Sequence, residues 1–167
     1  MNYKFIPAKY WSLGWKQQPK LIVIHWVAGG FQSCINTFRD GLRKASAHFV
    51  VNTDGDIIQM VHLANRSWHA GESFTELFGK SANEYSIGIE LVGPPSIIKT
   101  KGWEDKQMES VQKLVKEIIT IVPTITHITD HSTISPGRKI DVKKGTGKPE
   151  DIFPWEKMMC GINLIEI

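Results

Sequence analysis

The sequence predicts an α/β fold with a mixed central β-sheet flanked by helices. Three observations predict it. Leu21-Ile22-Val23-Ile24 is a continuous apolar run bounded by Pro19 and Gly29-Gly30, the pattern of a strand buried on both faces. Residues 105–122 carry an apolar stripe at helical spacing. Residues 125–128, Ile-Thr-His-Ile, are short and rich in β-branched side chains, so a strand follows that helix. Strands alternating with helices give a layered α/β sandwich.

Each element follows in order. Ser33 is placed to cap a helix running through Phe38 and Leu42. Residues 47–51 and 57–61 are two apolar runs around Asp54-Gly55, a hairpin signal. Residues 86–91 read as another apolar strand, closed by Gly93-Pro94-Pro95. In the 105–122 helix, Met108, Val111, Val115, Ile118 and Val122 share one face, widened by Leu114 and Ile119. Lys113, Lys116 and Glu117 take the other, and Pro123 ends it. A last helix starts near Pro154 and carries Trp155 and Met158-Met159.

The 167 residues form one expected domain, 1–167, with no repeat or linker to divide it. A net charge of +3 is too small to point to nucleic acid, and fits an anionic polymer only weakly. Cys34 and Cys160 are too few for a disulfide scaffold and read as a reduced pair. The opening MNYKFIPAKYWSLGW lacks the apolar core and cleavage site of a signal peptide. No apolar run approaches membrane-spanning length. The expectation is a monomer made in the cytoplasm, with no nucleic-acid partner and no membrane insertion.

Six histidines raise a metal question, although a single histidine is more often structural than a ligand. His25 stands directly after the buried run, where strand ends of an open α/β sheet border the ligand crevice. His127 and His131 are four apart, but Ile-Thr-His-Ile-Thr is a poor helix and lacks the glutamate of an HExxH site, so at most one need be a ligand. Downstream of His131, Pro136-Gly137 forces a turn, which lets His131 and Asp141 face each other. His25, His131 and Asp141 would make a three-ligand set that leaves one position open, as catalytic zinc requires. His48, His62 and His127 are read as structural, and Glu90 taken alone reads as a solvent-facing residue of an edge strand.

Five blocks then appear in one order over about residues 20–156: LIVIHW, SAHFVVNTDGDIIQMV, RSWHAGES, NEYSIGIELVG, and DHSTISPGRKID followed by FPW. Together they resemble the type 2 N-acetylmuramoyl-L-alanine amidases, whose fold is shared with peptidoglycan recognition proteins. HxxxxPGRKxD is the most specific block. The resemblance implies Zn2+ as cofactor, held by His25, His131 and Asp141. It implies Glu90 as the catalytic carboxylate and Lys139 as the group that stabilises the oxyanion. Trp68 and His69, with Trp26, would line the substrate groove.

Two departures bear on the chemistry. Ala47 stands where some phage members carry a catalytic tyrosine, which favours Glu90. The stretch from Asp141 to Phe-Pro-Trp is longer than usual, so an enlarged loop is expected near the site. The implied function is zinc-dependent hydrolysis of the amide between N-acetylmuramic acid and L-alanine, in peptidoglycan or a muropeptide. Lys99, Lys101 and Trp103 form a basic, aromatic stretch suited to a polymer, which tilts the expected setting towards a phage endolysin acting on the wall after release. The alternatives are a cytosolic amidase recycling anhydro-muropeptides and a wall-binding module without activity.

Overall fold

The computed structural model describes residues 3–136 and 153–167. Two short strands, β1 (Lys4–Phe5) and β2 (Trp11–Ser12), precede the first long one. That strand, β3 (Leu21–Val27), is buried from Leu21 through His25, as its unbroken apolar run requires. Helix α1 (Phe31–Asp40) is capped three residues before the expected Ser33, because Gly30 supplies the extended cap position with no side-chain bond. Gly41, at φ 69°, closes the helix in the left-handed conformation. Leu42 therefore falls beyond it and is 78% exposed.

Strands β4 (Phe49–Val51) and β5 (Ile57–Gln59) form the expected antiparallel hairpin, with Val51 opposite Ile57. Gly55, at φ 92°, makes its turn, and a Cβ there would come within 2.9 Å of the Lys106 carbonyl oxygen. Three small strands follow: β6 (Arg66–Ser67), β7 (Phe74–Thr75) and β8 (Gly79–Lys80). A 3-10 turn at Ala82–Glu84 leads into β9 (Ser86–Val92). Helix α2 (Pro95–Lys101) was not expected from the sequence, whereas α3 (Asp105–Ile121) ends one residue before the expected limit. Strand β10 (His127–Asp130) lies two residues later than expected, and α4 (His131–Ile134) follows it at once. Helix α5 (Trp155–Met159) and a final strand, β11 (Ile165–Glu166), complete the described chain.

The main sheet has the order β1-β5-β4-β9-β3-β10-β11, and every neighbouring pair is parallel save β4 with β5. This is the mixed sheet that the alternation of elements predicts. Strand β9 is central, so Glu90 is not on an edge.

On one face Ile22, Ile24, Ile87, Ile89 and Leu91 pack against Met108, Val111, Leu114, Val115 and Ile118 of α3. Each such side chain contributes roughly 1.5–3 kcal/mol on burial. The other face carries two smaller apolar clusters. One joins α1 to Val50, Ile58 and Val92. The second gathers Leu21, Val23, Ala70, Tyr85 and Ile134. No helix among the described residues is long and apolar enough to cross a membrane.

Candidate active site

Register brings the polar groups together. In β3 and β9, His25 pairs with Glu90, and parallel neighbours in register leave a sheet on the same face. In β10 and β3, Asp130 pairs with Ile24, so His131, next in the chain, reaches the level of His25. Asp130 caps the turn that carries His131, its carboxylate accepting from the Thr133 N–H at 2.9 Å and from the Ser132 hydroxyl. A cavity of about 480 Å³ opens there, lined among others by His25, Trp26, Cys34, His69, Glu90 and His131.

The ring nitrogens of three histidines form a chain. His131 Nδ1 lies 2.9 Å from His25 Nδ1, and His25 Nε2 lies 2.8 Å from His69 Nδ1. The outer ends decide the tautomers. His131 Nε2 faces the Ala70 carbonyl at 3.0 Å and must donate to it. His69 Nε2 faces the Ser86 carbonyl at 3.3 Å and the Ser86 hydroxyl at 3.1 Å, and that hydroxyl already donates to Ala82. His69 therefore carries its proton on Nε2, and its Nδ1 accepts from His25 Nε2–H. In the neutral forms, His25 Nδ1 and His131 Nδ1 are then both acceptors, turned towards each other at 2.9 Å. Two acceptors at that distance repel unless a positive charge lies with them.

The donor set suits a metal cation. Zinc takes neutral imidazole nitrogens whose other ring nitrogen donates to a second group, which is how both histidines are held. The third expected ligand, Asp141, and the expected oxyanion group, Lys139, lie outside the described residues. Among the described residues, no group of three or more His, Cys, Asp or Glu side chains could hold a metal on its own.

His69 and His48 lie beneath this floor. Burial, with His48 and His131 nearby, pushes the His69 pKa well below its ordinary value. Burial lowers His48 to about 4. His48 Nδ1 accepts from the Gly88 N–H at 3.1 Å and from the Ser67 hydroxyl at 2.8 Å, while its Nε2–H donates to the Asn65 carbonyl at 3.0 Å. The structural reading of His48 agrees with this. Burial, then the Glu90 carboxylate, push the Cys34 thiol upward, so it stays protonated beside the cavity and is a poor nucleophile.

The expected groove residues divide. Trp26 lines the cavity, and its Nε1–H donates to the Gly93 carbonyl at 2.6 Å. Trp68 does not line it: its ring stacks on Tyr10 at 5.5 Å, its Nε1–H donates to Ser12, and it borders a separate cleft with Lys16 and Asn83. His69 has both ring nitrogens engaged by His25 and Ser86, so it has no ring nitrogen to offer a sugar or peptide. Of the stretch behind the endolysin expectation, one aromatic ring is partly turned inward. Trp103 packs partly on the main core, edge-on to Phe153 at 5.1 Å, and also borders a surface cleft with Lys101 and Lys106.

Sequence reasoning missed the supports. Asn83 Oδ1 accepts from the His69 and Ala70 N–H groups, at 3.0 and 2.8 Å, and so fixes the segment that holds both histidines. Gly88 leaves room for the His69 ring, since a Cβ there would lie 2.4 Å from His69 Cγ. A glycine inside a strand was the available signal for such a close approach.

Comparison with known proteins identifies the family of this chain. Residues 15–144 match a family model described as N-acetylmuramoyl-L-alanine amidase. The 1,6-anhydro-N-acetylmuramyl-L-alanine amidase AmpD of Haemophilus influenzae is 36% identical over 121 residues, covering 71% of this chain and 59% of that protein. The chain thus spans less than two thirds of that relative's length. A crystal structure of an AmpD derivative has a TM-score of 0.76 at 26% identity, covering 95% of this chain and 93% of that one. The Escherichia coli amidase AmiD, in complex with the substrate anhydro-N-acetylmuramic acid-L-Ala-D-gamma-Glu-L-Lys, has a TM-score of 0.66 at 27% identity, covering 86% and 57%. The mixed sheet with flanking helices is the fold of these amidases.

Proposed function

This chain belongs to the N-acetylmuramoyl-L-alanine amidase family, and from that premise we propose that it is a single catalytic domain cutting the amide between N-acetylmuramic acid and L-alanine in anhydro-muropeptides. The observation that carries the chemistry is the pair of Nδ1 acceptors, His25 and His131, facing each other at 2.9 Å in the floor of the cavity. The substrate follows the relatives. AmpD is named for the 1,6-anhydro sugar, and AmiD was solved with an anhydro-muropeptide. This reading replaces the endolysin setting.

His25 and His131 would hold zinc, with Asp141 as the third ligand. Bound zinc supplies a Lewis acid that polarises the amide carbonyl and lowers the pKa of water towards about 7. Glu90 leaves the sheet beside His25 and lines the same cavity. Its carboxylate would orient the attacking water, take its proton, and deliver that proton to the departing L-alanine nitrogen. Lys139 would offer its ammonium to the oxygen that gains charge, a contribution of about 3 kcal/mol for a single donor of this kind. Trp26 forms part of the wall that limits water at the reacting bond.

Zinc-loaded protein would be incubated with anhydro-muropeptides and, separately, with intact sacculi, and the products identified by mass spectrometry. The expected result is free peptides beginning in L-alanine, formed faster from the small substrate and abolished by a chelator and by His131→Ala. Faster release from sacculi would overturn the substrate assignment. No cleavage of either by folded, zinc-loaded protein would overturn the activity.

A further inference from the structure

His69 does more than fill space beneath the site. Its Nδ1 stands 2.8 Å from His25 Nε2, and its own proton is committed to Ser86 through Nε2. His69 is 8% exposed, and its ring is seated over Gly88, where any Cβ would strike it. The His25 and His69 rings meet edge to face at 4.9 Å, so the contact fixes orientation as well as protonation. Asn83 locks the backbone that carries His69 through two N–H bonds to one oxygen. A rigid acceptor therefore faces the outer nitrogen of His25.

We propose that His69 is a positioning residue for the metal site: by accepting from His25 Nε2–H, it holds His25 in the tautomer and orientation that turn Nδ1 towards zinc. The Ala70 carbonyl does the same for His131, so two consecutive residues of one segment aim both imidazoles. A group accepting from the far nitrogen also makes the ligating nitrogen more basic, and losing such a partner typically weakens metal binding about 10–100-fold. This inference rests on the zinc reading above and deepens it.

Two amide variants separate the acceptor from simple volume. In His69→Asn the side-chain oxygen can sit where Nδ1 sits, preserving the acceptor. In His69→Gln the longer side chain reaches the position of Nε2, preserving the Ser86 contact and withdrawing the acceptor from His25. Zinc affinity would be measured by competition with a chromophoric chelator, alongside the visible spectrum of the cobalt-substituted proteins and melting of the metal-free forms. The expected result is near-normal affinity for His69→Asn, with a wild-type cobalt spectrum. For His69→Gln we expect roughly 10–100-fold weaker binding and an altered spectrum, with melting matched between the variants. Equal affinity in wild type and His69→Gln would overturn the inference while leaving the zinc reading intact. Failure of the wild type itself to bind zinc would overturn the zinc reading, and this inference with it.

Discussion

His25 and Glu90 occupy matched positions on adjacent central strands, so a candidate metal ligand and a carboxylate leave the sheet side by side. Both line the same cavity, and Val50 of β4 pairs with Glu90 from the other side. Glu90 is half-buried and lines the cavity, which keeps it within reach of a substrate.

Replacement of Glu90 tests its part in proton transfer. Glu90→Gln keeps the shape and removes the base, so turnover of an anhydro-muropeptide should fall about 10²–10⁴-fold. Zinc content, measured by atomic absorption, should not change. Turnover within threefold of wild type would remove Glu90 from the mechanism.

Gly88 offers a second test through packing. A methyl at this position must displace the His69 ring, whose Cγ would lie 2.4 Å away. Overpacking of this kind costs roughly 1–3 kcal/mol. Gly88→Ala should therefore lower the denaturation midpoint and weaken zinc binding together, because the ring it displaces supports His25. A variant with unchanged stability and zinc affinity would show that the sheet accommodates the methyl without moving His69.

Gln107 links the sheet to α3. Its Nε2 donates to the Val51 carbonyl at 3.2 Å and the Val92 carbonyl at 2.8 Å, and it is fully buried. Gln107→Leu leaves both carbonyls short of a donor, a cost of about 1–3 kcal/mol. The urea midpoint should fall without a change in zinc affinity, since β3 and β10 are untouched. An unchanged midpoint would mean that water or a neighbouring group replaces the lost donor.

Much of the fold was legible because its signals are local. The run Leu21–Ile24, the Asp54-Gly55 turn and the stripe from Met108 to Ile118 each specify an element without reference to the rest of the chain. The start of α1 was misplaced because Gly30 caps by backbone geometry alone, leaving no side-chain signature. The site was legible in part. His25 and His131 could be named from strand ends and motif order, and the structure brings them into contact. The work of His69 and Asn83 was not legible, because it depends on three segments meeting across the sheet; only Gly88, a glycine inside a strand, carried a local signal. The setting of Trp68 was not legible for a related reason: the partners that turn it towards Tyr10 and Ser12 come from the start of the chain. Asp141, Lys139 and the long segment between Asp141 and Phe153 lie outside the described residues.

Acidification gives the last test. In the unfolded chain His48 gains a proton as pH falls through about 6.5, whereas in the folded protein burial delays this until about pH 4. Between those values the unfolded state binds more protons, so stability must fall as pH is lowered through that window. A shift of this size corresponds to about 3 kcal/mol, fully lost only below pH 4. The physical cause is visible: protonating Nδ1 would break its bonds from the Gly88 N–H and the Ser67 hydroxyl. His69, whose ring centre is 6.2 Å away, shifts in the same direction and adds to the slope, while Trp15 stacks on the other side without titrating. Melting of the metal-free protein between pH 7 and pH 4 should show a falling midpoint, and His48→Asn should flatten that fall without abolishing it. A slope unchanged by His48→Asn would assign the acid sensitivity to other groups.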